Sequence, residues 1–174
     1  MNDNNFAGNS KSAVDFLGNV WNYDCMGCAI SIGEIKIPGG IIYEGKYTIL
    51  GADPEIPIPG FFIINVKRHI NSFSELSKEE RTEIGNVIVY AEKALKELNI
   101  VKEVTLVQEE RSKHLHIWIF PNYNWMNEKF GKGITYLRAI SEYAQKNINE
   151  DSIKEVLNVI EKTRKYFNKY NINE

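Results

Sequence analysis

The alternation of hydrophobic and polar residues is clearest over residues 113–121. Leu115, Ile117 and Ile119 fall on one side of an extended chain, because successive side chains of a strand point to opposite faces. The pattern therefore predicts a strand with one aliphatic core face. The residues of its opposite face are His114, His116, Trp118 and Phe120.

Four further strands are predicted. Residues 41–43 and 47–50 flank a short glycine-containing loop, which is typical of a hairpin. Residues 61–66 form a continuous apolar run, as expected for a strand that is covered on both sides. Residues 103–108 also favour a strand, whereas the proline-rich residues 51–60 predict a connection.

Three helices are predicted from apolar residues at helical spacing. The first begins at the capping box Ser77-Lys78-Glu79-Glu80 and continues to about Asn99. The other two cover residues 134–148 and 151–167, and residues 122–133 before them are expected to be a loop. The predicted fold class is α+β, with a mainly antiparallel sheet, a crossover helix and additional C-terminal helices.

Length and composition favour one globular domain. The chain has 174 residues, 43% of them hydrophobic and 25% charged, with a formal net charge of −2. That charge does not indicate a nucleic-acid partner, and no apolar run is long enough for a membrane helix. Residues 1–15 are expected to be a disordered tail. Because they lack the features of a signal peptide, we expect a cytoplasmic protein.

A Cys-x-x-Cys motif at Cys25 and Cys28 carries potential chemistry. Two cysteines at this spacing can bind one tetrahedral metal, and Gly27 would let the turn close. They could instead be reduced structural cysteines or a redox dithiol. A redox dithiol usually opens a helix after a strand, and residues 30–40 do not predict a helix. The chain has three histidines that could complete a zinc site.

Two of these histidines, His114 and His116, lie two residues apart on one face of the central strand. Either one alone would most simply be a hydrogen-bonded or solvent-facing side chain. The pair favours a functional site, because imidazole suits metal binding, acid–base chemistry and nucleophilic chemistry near neutral pH.

Several motifs in a fixed order resemble the histidine triad (HIT) superfamily of nucleotide hydrolases and transferases, in particular its zinc-bearing bacterial members. The resemblance covers about residues 23–121. It rests on Cys25-x-x-Cys28, Asp53, Pro59-Gly60, Asn65-Val66-Lys67-Arg68-His69-Ile70, the helix entry at Ser72 to Glu80, and His114-Leu115-His116-Ile117-Trp118-Ile119-Phe120-Pro121.

The resemblance implies a nucleotide site. His116 corresponds to the histidine that attacks the α-phosphorus and forms a nucleotidyl-histidine, and Asp53 corresponds to the ribose ligand. The substrate would be a dinucleoside polyphosphate or a nucleotide phosphoramidate. Further substrate contacts are expected from Arg111, Ser112, Lys113 and Trp118. Ile42, Leu50 and Phe62 are candidates for the base pocket.

The resemblance also implies a cofactor and an assembly. Cys25, Cys28, His69 and His114 would hold a structural zinc ion, because four protein ligands leave no open position. A homodimer is expected. Residues 16–125 would form the HIT-like nucleotide-binding domain, and residues 126–174 a C-terminal helical extension packed on the same domain.

The chain departs from the family pattern at three places. Trp118 replaces the third triad histidine, Phe61 replaces a histidine of the upstream loop, and an acidic pair precedes Arg111. Two alternatives therefore stay open. One is a non-catalytic nucleotide-binding or interaction module that keeps the fold and the zinc. The other is a catalytic-zinc hydrolase in which His116 joins the metal.

Overall fold

The structure is a computed structural model that describes residues 10–170 and residue 172, with the Arg111 side chain excepted. It contains seven strands and five α-helices over these residues. The strands are β1 (Lys11–Val14), β2 (Val20–Tyr23), β3 (Tyr43–Glu44), β4 (Thr48–Ala52), β5 (Phe62–Val66), β6 (Val104–Val107) and β7 (His116–Pro121). The helices are α1 (Met26–Ser31), α2 (Lys78–Glu97), α3 (Asn124–Phe130), α4 (Leu137–Lys146) and α5 (Glu150–Lys169).

The main sheet has five antiparallel strands in the order β3-β4-β5-β7-β6, which confirms the predicted α+β class. Strands β1 and β2 form a separate hairpin. In the register of β5 against β7, Asn65 lies opposite His116 and Ile63 opposite Trp118. The strand with the two-histidine pattern is therefore an inner strand of the sheet.

The larger core lies between one face of this sheet and helices α2 and α5. Leu115, Ile117 and Ile119 are buried there, so the predicted aliphatic core face is confirmed. Helix α2 begins at a capping box in which Ser77 accepts from the Glu80 amide and Glu80 accepts from the Ser77 amide, as the sequence predicts. Helix α5 adds the buried residues Val156, Val159, Ile160 and Phe167 to the same core.

A smaller hydrophobic cluster lies at the start of the C-terminal helices. Phe120 of β7 contacts Phe61, and Trp118 packs against the cluster from one side. Its other buried members are Ile58, Met126, Leu137 and Ile140. Residues 122–133, which we expected to be a loop, contain helix α3, because burial of Met126 stabilises a helical turn too short to show a period in the sequence. The division at residue 126 stays a prediction.

The expected N-terminal tail is wrong for part of its length. Lys11–Val14 form β1, Asp15 accepts from the Leu17 and Asn19 amides, and Phe16 is buried in the larger core. Pairing with β2 and the hydrogen bonds of the Asp15 carboxylate order this segment, and Phe16 directly after it is buried. Residues 1–9 of the predicted tail lie outside the described residues. Among the residues that the structure describes, none of the helices has the length and hydropathy of a membrane span.

Candidate functional site

Two cysteines and two histidines from three parts of the chain come together. Cys25 precedes α1 and Cys28 lies within it, His69 follows β5, and His114 precedes β7. One potential ligand atom from each residue lies within 4.8 Å of all the others. These are the four residues that the resemblance implies as zinc ligands.

The distances within this Cys/His cluster fit a tetrahedral ion. Zinc bonds of about 2.3 Å to sulfur and about 2.05 Å to nitrogen set S···N edges of about 3.6 Å and an N···N edge of about 3.3 Å. The observed Sγ···Nδ1 distances are 3.5 and 3.2 Å for Cys25, and 3.2 and 3.6 Å for Cys28, to His69 and His114 respectively. The two histidine Nδ1 atoms are 3.3 Å apart. The cluster is able to hold zinc with four protein ligands.

The His114 ring is oriented by a backbone acceptor. Its Nε2 lies 2.7 Å from the Val66 carbonyl oxygen, which can only accept, so Nε2 carries the proton and Nδ1 presents a lone pair to the cluster. His114 is 4% exposed, and this burial lowers the pKa of its imidazole. Burial favours the neutral form that binds a metal, and the Val66 contact orients the ring so that Nδ1 faces the cluster.

The Cys28 thiol has the opposite preference in the absence of a cation. Burial and the neighbouring Cys25 raise the pKa of Cys28 to about 11, which disfavours the thiolate. A dication within bonding distance reverses this preference, because it stabilises the negative sulfur directly. The two cysteines are therefore suited to bind a metal together.

Helix α1 is held close to the sheet by backbone contacts at Gly27. A Cβ at this position would lie 2.6 Å from His114 Nε2, so a residue without a side chain is needed there. The buried Asn65 amide donates to the Gly27 carbonyl oxygen and to Ser31 Oγ, at 3.0 Å each. Of residues 30–40, which do not predict a helix, only Ile30 and Ser31 are helical; they end the six-residue α1, which begins at Met26, directly after Cys25.

A cavity of about 460 Å³ opens beside the Cys/His cluster. Its floor includes Asn65, His116 and Trp118 of the sheet, and its roof includes Gly27 of α1. Cys25, His69 and His114 also line it. The Cys/His cluster and His116 therefore face the same cavity.

His116 is not a member of the Cys/His cluster. Its Nδ1 lies 3.0 Å from the His114 carbonyl oxygen and 3.2 Å from Ser112 Oγ. Because a carbonyl oxygen only accepts, Nδ1 is the protonated nitrogen and Nε2 carries the lone pair. A neutral imidazole with a free Nε2 is chemically suited to act as a nucleophile.

Asp53 directly follows β4. It lies toward the end of the strands that is farther from the Asn65–His116 pair. Its Oδ1 accepts from the amides of Glu55 and Ile56 at 2.9 and 2.8 Å, and its side chain lines the cavity. Although the residue keeps part of its surface exposed, protein surrounds its carboxyl, and this burial raises the pKa of Asp53 to about 7.

Three of the other four predicted substrate residues line the cavity. Lys113 and Trp118 line the cavity, and the indole of Trp118 packs edge-on against Phe61 at a centroid distance of 5.4 Å. Ser112 also lines it, but its hydroxyl donates to the His114 carbonyl oxygen at 2.7 Å. The Arg111 side chain lies outside the described part of the chain.

The candidates for the base pocket are wrong. Ile42, Leu50 and Phe62 are 0–3% exposed and belong to the larger core on the opposite face of the sheet. The apolar residues that line the cavity include Ile30, Ile37, Ala52 and Ile63. Their chain positions alone do not distinguish them from core residues.

The β1–β2 hairpin supplies cavity residues that the sequence reasoning missed. Lys11 and Tyr23 lie opposite each other in this hairpin, and both line the cavity together with Glu55. Burial and the Glu55 carboxylate raise the pKa of Tyr23, and burial raises the pKa of Glu55. The alternation of β1 is too short to have indicated this role.

Comparison with known proteins identifies the fold. No family model matches the sequence, and no curated protein matches it. The solved structures of similar fold include a zinc-bound histidine triad family protein from Mycobacterium smegmatis, with 16% identity and a TM-score of 0.55 over 79% of this chain and 93% of that one.

Two further structures agree. A hypothetical histidine triad nucleotide-binding protein from Sulfolobus tokodaii is 17% identical, with a TM-score of 0.58 over 81% of this chain and 92% of that one. A HIT family protein from Bacillus anthracis is 20% identical, with a TM-score of 0.53 over 79% and 94%. The resemblance seen in the sequence is therefore confirmed at the level of the fold: this chain has the histidine triad fold.

Proposed function

We propose that this chain is a nucleotide hydrolase or transferase of the HIT type. It would cleave at the α-phosphate of a dinucleoside polyphosphate or a nucleotide phosphoramidate. The observation that carries the proposal is the state of His116, whose Nδ1 is held by the His114 carbonyl oxygen while the ring lines an open cavity. A histidine that only served packing would not need a ring nitrogen at a cavity wall that has no hydrogen-bond partner among the described residues.

The proposed reaction has two displacements. His116 Nε2 attacks the α-phosphorus, the bond to the leaving group breaks, and a nucleotidyl-histidine forms. Water or another acceptor then attacks the same phosphorus and releases His116. Lys113, at the cavity wall, would offset the charge that develops on the phosphate oxygens, and Asp53 would accept hydrogen bonds from the ribose hydroxyls.

The Cys/His cluster would hold a structural zinc ion. When bound, zinc would supply a cross-link between α1, the segment after β5 and the segment before β7. Four protein ligands leave no position for water, so we assign it no step of the reaction. His116 Nδ1 is hydrogen-bonded to the His114 carbonyl oxygen, and His116 is not part of the Cys/His cluster. This arrangement argues against the catalytic-zinc alternative.

Turnover tests the proposal. We would incubate the protein and His116→Ala with diadenosine polyphosphates and with an adenosine phosphoramidate, and separate the products. The parent should release AMP, and the variant should lose at least about 1,000-fold in rate, because its nucleophile is gone. Equal AMP release by both proteins would contradict the assignment of His116.

A non-catalytic nucleotide-binding module is the second candidate, and Trp118 is the observation that favours it. Its indole occupies the third triad position and lines the cavity beside His116, at a ring-centroid distance of 6.4 Å. Nucleotide binding without AMP release by the parent would favour this candidate, and Trp118→His would then be the variant to assay.

We also propose a homodimer, which light scattering at several concentrations would test.

A further inference from the structure

We propose that Ser112 is a positioning residue for His116: its hydroxyl oxygen accepts from the imidazole and adds to the bias toward the Nδ1–H tautomer, and it does not act as a phosphate ligand. The inference rests on the proposed role of His116. It concerns a residue that the resemblance implies only as a substrate contact.

The hydrogen-bond donors and acceptors around Ser112 lead to this assignment. A serine hydroxyl has one proton and two lone pairs. Ser112 Oγ donates its proton to the His114 carbonyl oxygen at 2.7 Å and accepts from the His114 amide at 3.4 Å. The remaining lone pair faces His116 Nδ1 at 3.2 Å.

His116 Nδ1 therefore meets two acceptors and no donor among these partners. The His114 carbonyl oxygen lies 3.0 Å away and the Ser112 hydroxyl oxygen 3.2 Å away. Without the serine, the carbonyl would be the one acceptor left to Nδ1 among the described residues. Free neutral histidine in water favours the proton on Nε2, which would block the proposed attack. The serine hydroxyl thus adds to the bias toward the tautomer that the reaction needs.

The local backbone explains why the serine reaches this position. Residues Glu110–Ser112 form a single 3-10 turn, and Lys113 then adopts a left-handed conformation with φ of 57°. This reversal turns the chain back, so that Ser112 Oγ contacts atoms of His114 and His116, two and four residues ahead. In an extended strand, residues 112 and 116 would lie too far apart for such a contact.

Tautomer populations give the direct test. The full-length protein as isolated would be labelled with ¹⁵N-histidine, and long-range ¹H–¹⁵N correlations would be recorded at about pH 8.5, well above the ordinary histidine pKa of about 6.5. The His116→Ala variant identifies the His116 signals. In the parent, His116 should be protonated at Nδ1. In Ser112→Ala, the ratio should shift toward Nε2–H by roughly fivefold, the worth of one ordinary hydrogen bond.

Two variants make the test specific. Ser112→Thr keeps a hydroxyl at the same place and should retain the parental ratio. Ser12→Ala removes a hydroxyl from an exposed position of β1 and should leave the ratio unchanged. An unchanged His116 tautomer in Ser112→Ala would overturn the proposal.

Kinetics separate positioning from phosphate binding. Loss of positioning lowers kcat with little change in KM, whereas loss of a phosphate ligand raises KM. A raised KM with an unchanged tautomer would therefore overturn the proposal. The tautomer measurement needs no turnover, so failure of the HIT-type reaction and failure of the role of Ser112 are recorded separately.

Discussion

The two ends of the cavity differ in how their polar groups are used. At the Cys/His cluster, the four ligand atoms face one another, and the remaining nitrogen of His114 donates to a backbone carbonyl. At the other end, one carboxylate oxygen of Asp53 accepts from two backbone amides. The side chains of Asp53, Glu55 and Lys11 line the cavity. The first end resembles a completed structural element, and the second a site prepared for a ligand.

This difference indicates that the free energy of folding and the function should depend on different residues. Groups that satisfy one another contribute to folding, and their loss is felt as instability. Groups that face a cavity contribute little to folding, and their loss is felt in binding or turnover. Substitutions at the two ends should therefore change different measurements.

The largest effect is expected at the cluster. Cys25→Ser removes one of four zinc ligands, and metal-binding energy in such a site is folding energy. We expect a loss of about 4 kcal/mol or more in the free energy of unfolding, together with loss of bound zinc. Denaturant unfolding and metal analysis measure both quantities.

Chelation provides the control for that variant. In protein stripped of metal, the Cys25→Ser substitution should cost much less, because the ligand bond is already absent in the parent. An unchanged melting temperature and metal content in Cys25→Ser would show that the cluster holds no zinc.

A smaller effect on stability is expected at Gly27. The new Cβ in Gly27→Ala would overlap the His114 ring, and overpacking of this kind costs about 1–3 kcal/mol. Gly85→Ala is the matched control, because Gly85 lies at an exposed position of α2 where an added Cβ would meet no atom within 4 Å, and alanine favours a helix. Equal stability of the two variants would mean that α1 can move away from the ring at no cost.

The smallest effect of a substitution is expected at the Asp53 end, where Asp53→Asn should change the pH dependence of binding. Because burial raises the pKa of Asp53 to about 7, the folded state binds its proton more tightly than the unfolded state. Stability is therefore lost as pH rises from about 4 through 7. Binding of ribose hydroxyls by the ionised carboxylate should strengthen over the same titration, by up to about tenfold between pH 6 and 8.

Adenosine is the suitable ligand for this measurement, because it has no phosphate that titrates in the same range. The affinity of the parent should rise with pH, and Asp53→Asn should remove that slope. Glu34→Gln, which changes an exposed carboxylate after α1, should keep it. A parental slope in Asp53→Asn would assign the titration to another cavity group, such as Glu55.

The sequence was most informative where chemistry restricts the residue type. Cysteine spacing and the two-residue alternation at His114 and His116 are readable without a structure, and the structure brings the four expected ligands together. The helix at Lys78–Glu97 was predictable because its capping box and its apolar period agree.

The base pocket was not predictable by the same reasoning. Residues 61–64 are apolar on both faces, so they show no alternation that would indicate which side chains of β5 meet the helices. Phe62 enters the larger core and Ile63 lines the cavity, although they are neighbours. The contact of Ser112 with His116 depends on the left-handed conformation of Lys113, for which lysine has no intrinsic preference.

The distances along the chain between the cluster residues have a consequence for biosynthesis. His69 and His114 follow Cys25 by 44 and 89 residues, so the ligand set is complete only after His114 has left the ribosome. Closing loops of this length costs entropy that a bound ion would offset. We expect docking of α1 to be a late, zinc-dependent step of folding, which refolding rates measured with and without zinc would reveal.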